Sequence, residues 1–270
     1  MRDDHLLGPE EVFDPVEDER VLDERFLGSE GMVPMGVAGP VPAERFERFR
    51  GVFPNVILRA WERFGFDGFN QGLFWLTDPI AWQPVVDAWL DGLQDQFPFW
   101  DRWWCLGRTA LGKMELWGEE SGNSLSIHAD FGMLFPTDKR ADMRIPIRRE
   151  RSARTMFSPL VSDIGDPYDE NYEEYEAMMY GAIQRLGVLT ADQVYAFDPP
   201  ASLSGDYAPE TMRIEPAIPY LSFLAKIRRK VMPDLIGGNQ AFLDSLLPPE
   251  YRDDPEPPET PKGGAGDERP

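Results

Sequence analysis

Few side chains in this chain suit metal or nucleophilic chemistry. The sequence holds two histidines, His5 and His128, and one cysteine, Cys105. A catalytic zinc with three histidine ligands is therefore impossible, and a structural Cys/His site is nearly so. Cys105 lies between Trp104 and Leu106 in a β-prone run, the setting of a buried inert thiol. A nucleophile would need a base beside it. His128 is followed by Ala129 and Asp130, a His–carboxylate spacing, but reads as a residue at a strand end. The run SGNSLS at 121–126 has no nucleophile-elbow pattern. Glu119 and Glu120 are adjacent in a turn, where two carboxylates seldom converge on one substrate as acid and base. No P-loop and no G-x-G-x-x-G is present. The Gly-rich run FGFDGFNQGLFW at 64–75 reads as a loop whose glycines supply positive φ. No catalytic residue, metal or cofactor is expected, and the chemistry left to the chain is that of binding.

The elements that would position a binding surface follow from periodicity. Pro54 suits the first turn of a helix, Val56, Ile57, Ala60, Trp61 and Phe64 recur at helical spacing, and Gly65 is a stop. Residues 72–76, GLFWL, read as a short buried strand. Asp78 and Pro79 then act as cap and first helical residue. Val85, Val86, Trp89 and Leu90 give the apolar face of that helix, and Pro84 predicts a kink or a start near residue 84. RWWCLGRT, KMELW, NSLSI and DFGMLF are four short β-prone runs joined by tight connections, an antiparallel meander. In KMELW, Met114 and Leu116 alternate against Lys113, Glu115 and Trp117, which predicts one buried face. Helices on one side of that sheet would give an α+β layer fold.

Residues 136–170 are polar and irregular and hold the one basic patch, read as a solvated connector or strand edge, with a phosphate or acidic-partner site as the alternative. A helix follows in which Tyr172, Tyr175, Met179, Ile183 and Leu186 recur and Gly187 closes the run. TADQV reads as a capped turn. Another helix spans about 216–230, and IGGNQAFLDSLLP reads as a further short one. The organisation expected is an exposed, solvated acidic arm with one short helix at 1–40, an α+β domain at 41–150, a helix-rich C-terminal domain at 151–247, and a disordered Pro/Gly tail at 248–270. The fold class expected is α+β: an antiparallel β-meander packed by helices, with a helix-rich C-terminal domain.

With 270 residues, a net charge of −21 and a pI near 4.4, the chain is a poor partner for nucleic acid or anionic membrane. It suits a basic protein partner, steered by charge. One cysteine, no apolar leader and no long apolar run predict a cytoplasmic protein.

Two segments resemble known families. FPNVILRAWERFGFDGFNQGLFWLTDP with GRTALGKMELWGEESGNSLSI resembles the GAD-like domain. The residues that fit are Gly65, Phe66, Gly72 to Leu76, Asp78, Pro79, Arg108, Thr109, Ala110, Gly112 and Trp117. Leu111 stands for the usual Phe and Lys113 for the usual Asp. YGAIQRLGVLTADQVYAFDPPASLSGDYAPETMRIEPAIPYLSFLAKI resembles the domain often found behind it, domain of unknown function family 1851. There Leu186, Gly187, Leu189, Asp192, Tyr195, Phe197, Pro199, Leu221, Leu224 and Ala225 fit. The usual Gly-Gly is reduced to Ser204-Gly205, and Pro219-Tyr220 replaces a usual Glu-His. The pairing implies an immunity protein that neutralises a cognate antibacterial toxin, often a nuclease, of type VI secretion or related systems. A toxin groove would be occluded by acidic residues and exposed aromatics around the Gly-rich loop and the hairpin: Asp67, Phe69, Asn70, Glu119, Glu120 and Asp130. The alternative is a regulatory or scaffold module for an endogenous protein; a small-molecule site in the loop at 65–72 is a second rival.

Overall fold

The computed structural model describes residues 14–26, 32–156, 172–200, 203 and 207–233. The helix expected in IGGNQAFLDSLLP and the tail at 248–270 lie outside them, as do His5 and Ser204-Gly205. The described residues up to Met232 form one compact unit.

A six-stranded sheet runs in chain order, every pair antiparallel. Its strands are β1 (Gly68–Phe69), β2 (Phe74–Leu76), β3 (Trp103–Thr109), β4 (Lys113–Gly118), β5 (Gly122–His128) and β6 (Met133–Pro136). The expected meander is present. Its first two strands come from the Gly-rich loop and GLFWL. The helices, in chain order, are α1 (Pro15–Phe26), α2 (Ala43–Phe49), α3 (Asn55–Phe64), α4 (Pro79–Leu90), α5 (Arg140–Met143), α6 (Pro146–Thr155), α7 (Tyr172–Leu186) and α8 (Ala217–Ile227). A two-stranded sheet, β7 (Gln193–Phe197) with β8 (Met212–Pro216), completes the described chain.

Local chemistry explains the helix ends. Pro54 caps α3, which buries Val56, Ile57, Ala60 and Trp61. Gly65 stops it at φ 65°, its N–H donating to the Trp61 carbonyl at 2.9 Å. A Cβ there would also press on the Gly39 carbonyl, so only glycine fits. Asp78 caps α4 by accepting the Ile80 N–H at 3.0 Å, with Pro79 as the first helical residue. Pro84 lies inside α4 and does not delay it. Trp82, Val85, Val86 and Trp89 are all buried on both sides of it, so tertiary packing carries the turn that has lost a backbone bond.

Both faces of the sheet are covered, which corrects the expectation of helices on one side. On one face Trp82, Val85, Val86 and Trp89 of α4 and Leu221 and Leu224 of α8 pack with Trp103, Cys105, Met114, Leu116 and Ile127. On the other, Phe49, Val56, Ile57, Ala60 and Trp61 pack with Trp104, Leu106 and Trp117. Glu115 and Trp117, expected to face water, are therefore as buried as Met114 and Leu116. The second face is aromatic. Trp61 meets Phe49 and Phe53 edge-on at 5.7 and 5.6 Å, pairs that each add about 0.5–1.5 kcal/mol beyond area burial. A third cluster joins Met179 and Ala182 of α7 to Tyr195, Phe197 and Met212, with Leu73 and Ala110 from the main sheet.

The acidic arm is not simply solvated. Leu22 and Asp18 of α1 are buried, and Glu19 pairs with Arg59 and Arg63, Asp23 with Arg63, and Asp18 with Arg154. Residues 33–35 then run beside β1: the Met35 N–H donates to Gly68 and the Asn70 N–H to Val33. At the far edge the Leu134 N–H donates to the Val231 carbonyl. Both outer strands thus have backbone partners. The basic stretch after β6 is helical as α5 and α6, a second correction. Arg149 of α6 donates to the Glu119 and Val52 carbonyls. The Glu150 carboxylate accepts the Asn55 N–H at 3.2 Å.

Candidate partner-binding surface

The strand register divides the six candidate residues. Phe74 faces Thr109, Lys113 faces His128 and His128 faces Met133, so the turns at 70–73, 110–112 and 129–132 share one end of the sheet. Gly118 faces Trp103 and Gly122, which puts the 119–121 hairpin at the opposite end. Asn70 and Asp130 thus sit at one end, Glu119 and Glu120 at the other.

Asp67 and Phe69 do not present side chains to solvent, which corrects the expectation of an exposed acid and aromatic there. Asp67 is 3% exposed. Its carboxylate accepts the N–H groups of Gly36, Val37 and Ala38 at 2.7, 3.0 and 3.2 Å. Phe69 is buried between Phe64 and Phe74, with ring centroids at 5.7 and 5.6 Å. Both hold the 32–38 segment and β1 in place. Asn70 does so as well, its Oδ1 accepting the Val33 N–H at 2.8 Å. Asn70 and Gln71 both take positive φ, 48° and 59°, in the turn that Gly72 closes.

Glu119 accepts the Trp104 indole N–H at 3.0 Å and lies 3.9 Å from Arg102. Glu120 is exposed. The hairpin is clamped by Asp101, whose Oδ2 accepts the Glu120 and Ser121 N–H groups at 3.0 and 2.7 Å and the Ser121 hydroxyl at 2.5 Å. This clamp was not legible in the sequence, because Asp101 lies about twenty residues from the hairpin.

The end with Asn70 and Asp130 is covered by the later part of the chain. Tyr195 donates its N–H to the Ala110 carbonyl at 3.0 Å. Gly72 packs on Leu189, Gly112 on Leu221 and Gly132 on the Arg229 carbonyl. Arg108, with 0% of its surface exposed, reaches through this joint. Its guanidinium donates to the carbonyls of Thr109, Thr190 and Ala191 at 3.3, 3.3 and 3.1 Å, and lies against Trp75 and Trp82. Burial lowers it to about 9, since no carboxylate bonds to it. Its fit to the GAD-like pattern marked it in the sequence; its function as a tie between segments did not show.

The chemistry-bearing residues are placed as their neighbours suggested. Cys105 is buried, and burial pushes its thiol up to about 12, far from a thiolate nucleophile. His128 ends β5, edge-on to Phe135 at 4.9 Å. Burial, then the charge of Lys113, lowers it to about 3. Among the described residues no cluster of His, Cys, Asp or Glu is arranged to hold a metal. A cleft of about 530 Å³ lies between α2 and α3, lined by residues that include Phe46, Glu47, Arg50, Leu58, Arg59 and Glu62. Arg59 is tied to Glu19 there. No helix among the described residues is long and apolar enough to cross a membrane.

These features define an α+β protein with helices on both faces of an antiparallel meander. Among solved structures it is similar to the crystal structure of Atu4351 from Agrobacterium tumefaciens, with a TM-score of 0.60 at 20% identity over 76% of this chain and 89% of that one. That likeness shows the fold alone. No curated protein matches the chain. The chain carries a GAD-like domain at residues 26–130, followed at 156–228 by the domain described as T6SS immunity protein Tdi1, C-terminal. The expected pairing is present, and it supports a role in immunity against a toxin.

Proposed function

We propose that this chain is a cytoplasmic immunity protein that binds a basic cognate toxin, a nuclease, and neutralises it by occluding its active site. The observation that carries the reading is the GAD-like domain followed by the Tdi1 C-terminal domain. The net charge of −21 supports a basic partner, because an acidic binder is steered to a cationic cleft and competes with its nucleic-acid substrate. The buried Cys105 and low-pKa His128 favour binding over turnover as the mode of action. Of the six candidate residues, Glu119 and Glu120, on the hairpin at the opposite end from Asn70 and Asp130, are proposed to face the toxin. Asp67 and Phe69 support the loop from within.

The test is to identify the protein that co-purifies with this chain from its native host, and to express that partner alone and together with this chain. Growth arrest by the toxin alone, rescue by co-expression and a stoichiometric complex that blocks DNA cleavage are the expected results. Rescue without a complex, or a complex that leaves cleavage intact, would sink the occlusion mechanism. A complex in which this chain consumes a small substrate would sink the binding-only reading.

A further inference from the structure

Seven of the eight tryptophans are buried, none more than 5% exposed; Trp100 is 43% exposed. It ends the connection between α4 and β3, where Phe97 and Phe99 turn inward and Trp100 does not. Its ring stands edge-on to Phe97 at 5.5 Å and to Trp103 at 5.4 Å. Two sides of the indole are therefore fixed while a face stays open, and its N–H donates to no described group. An aromatic held in this way loses little entropy on binding. Tryptophan is also the side chain most enriched at the energetic centres of interfaces.

The surroundings select the partner. From Phe64 to Asp101 the sequence has no Lys or Arg, while Asp87, Asp91 and Asp95 are exposed along the approach to Trp100. Asp91 has the Lys230 ammonium beside it, which donates to its carbonyl at 3.2 Å, so Asp95 is the carboxylate on this connection left to a partner. The Asp101 clamp brings exposed Glu120 to the same end of the sheet. The arginines nearby are engaged: Arg102 lies over the Trp104 ring at 4.5 Å, and Arg140 pairs with Asp138 at 2.8 Å.

We propose that Trp100, with Asp95 on the same connection and Glu120 on the clamped hairpin, is the anchor of the docking surface for a basic protein, the toxin of the reading above. The inference rests on that reading and names its contact. An arginine or lysine of the partner stacks on the open face of Trp100, and the carboxylates around it pair with further cations. The Glu119–Glu120 hairpin takes part, whereas Asn70 and Asp130 at the other end do not.

The experiment titrates the purified toxin partner, identified by co-purification as above, into the full chain by calorimetry, at low and high salt. Variants are Trp100→Ala, Trp100→Phe, the double charge variant Asp95→Asn with Glu120→Gln, and Phe223→Ala as an exposed control elsewhere (47% exposed). Trp100→Ala is expected to raise Kd by about 30-fold or more, with Trp100→Phe recovering part of the loss. The charge variant is expected to slow association and flatten the salt dependence. Phe223→Ala is expected to stay within about twofold. Tight wild-type binding that Trp100→Ala and the charge variant leave within about twofold would overturn the docking surface and leave toxin neutralisation standing. No wild-type binding at all would overturn both. Thermal melts of each variant separate contact loss from unfolding, and the charge variant alters no packed side chain.

Discussion

Replacing Asp67 by alanine separates two roles for a residue that looks, in sequence, like a loop-tip acid. In the structure its carboxylate accepts three backbone N–H groups, from Gly36, Val37 and Ala38. Bonds to a charged acceptor contribute about 1.5 kcal/mol each at the low end, so three give about 4–5 kcal/mol gross. Gly36 and Val37 are exposed, and water can replace the carboxylate there. The expected net loss is then about 2 kcal/mol, concentrated in the 32–38 segment. Hydrogen exchange is the assay. The amides of residues 35–38 should lose about 30-fold in protection, while those of β3 and β4 change far less. Asp67→Asn should lose less, because its carbonyl keeps one acceptor. Unchanged protection at 35–38, with weakened toxin binding, would refute the structural role and return Asp67 to the interface.

Arg108→Met removes the donor to the Thr190 and Ala191 carbonyls inside a closed joint; urea unfolding should show a loss of about 2–4 kcal/mol, and a loss below about 0.5 kcal/mol would mean that burying the lone charge had offset the bonds. Gly112 has φ 86° and would set a Cβ onto Leu221; Gly112→Ala should destabilise by about 1–3 kcal/mol in the same assay, and an unchanged unfolding midpoint would show that Leu221 repacks freely. His128 binds its proton less readily folded than unfolded, about 3 against 6.5. The unfolded chain therefore takes up more protons in that window, and stability falls as pH drops through it. At pH 5 the cost is about 2 kcal/mol. Denaturation at pH 7 and 5 should show it, and His128→Gln should flatten that part of the slope; an equal slope in the variant assigns the loss to other groups.

Elements with their own caps and apolar periods could be read directly. α3 carries Pro54, four buried side chains at helical spacing and Gly65 within a dozen residues. The meander carries its turns between its strands. α6 offers no such signal, since only Ala153 of PIRRERSART is buried. Its helix is held by Arg149 on the Glu119 and Val52 carbonyls and by Arg154 on Asp18, partners 30 to 136 residues away. β7 was hidden for another reason. QVYAF follows an amphipathic helix as a short apolar run, which periodicity alone cannot assign. Its pairing with β8 and its bond to Ala110 decide it. The candidate surface was legible only in part. Asp67 and Phe69 look like tip residues until the 33–35 segment is laid against β1, and Trp100 looks like one more packing aromatic in a run rich in them.

The joint between the two family segments gives the sheet a direction. Each turn at one end has its neighbour in the later part of the chain: Gly72 has Leu189, Ala110 has the Tyr195 N–H, and Gly132 has the Arg229 carbonyl. Small residues at these turns permit the close approach, and Arg108 fills the space beside them with donors aimed at the Thr190 and Ala191 carbonyls. The contacts that bind the segments to each other therefore consume the end carrying Asn70 and Asp130. The opposite end keeps its hairpin clamped by one aspartate, its arginines engaged and one tryptophan open. A pre-set, acidic, aromatic surface on a rigid sheet can meet a cationic partner without reorganising, which is what the proposed docking at Trp100 relies on.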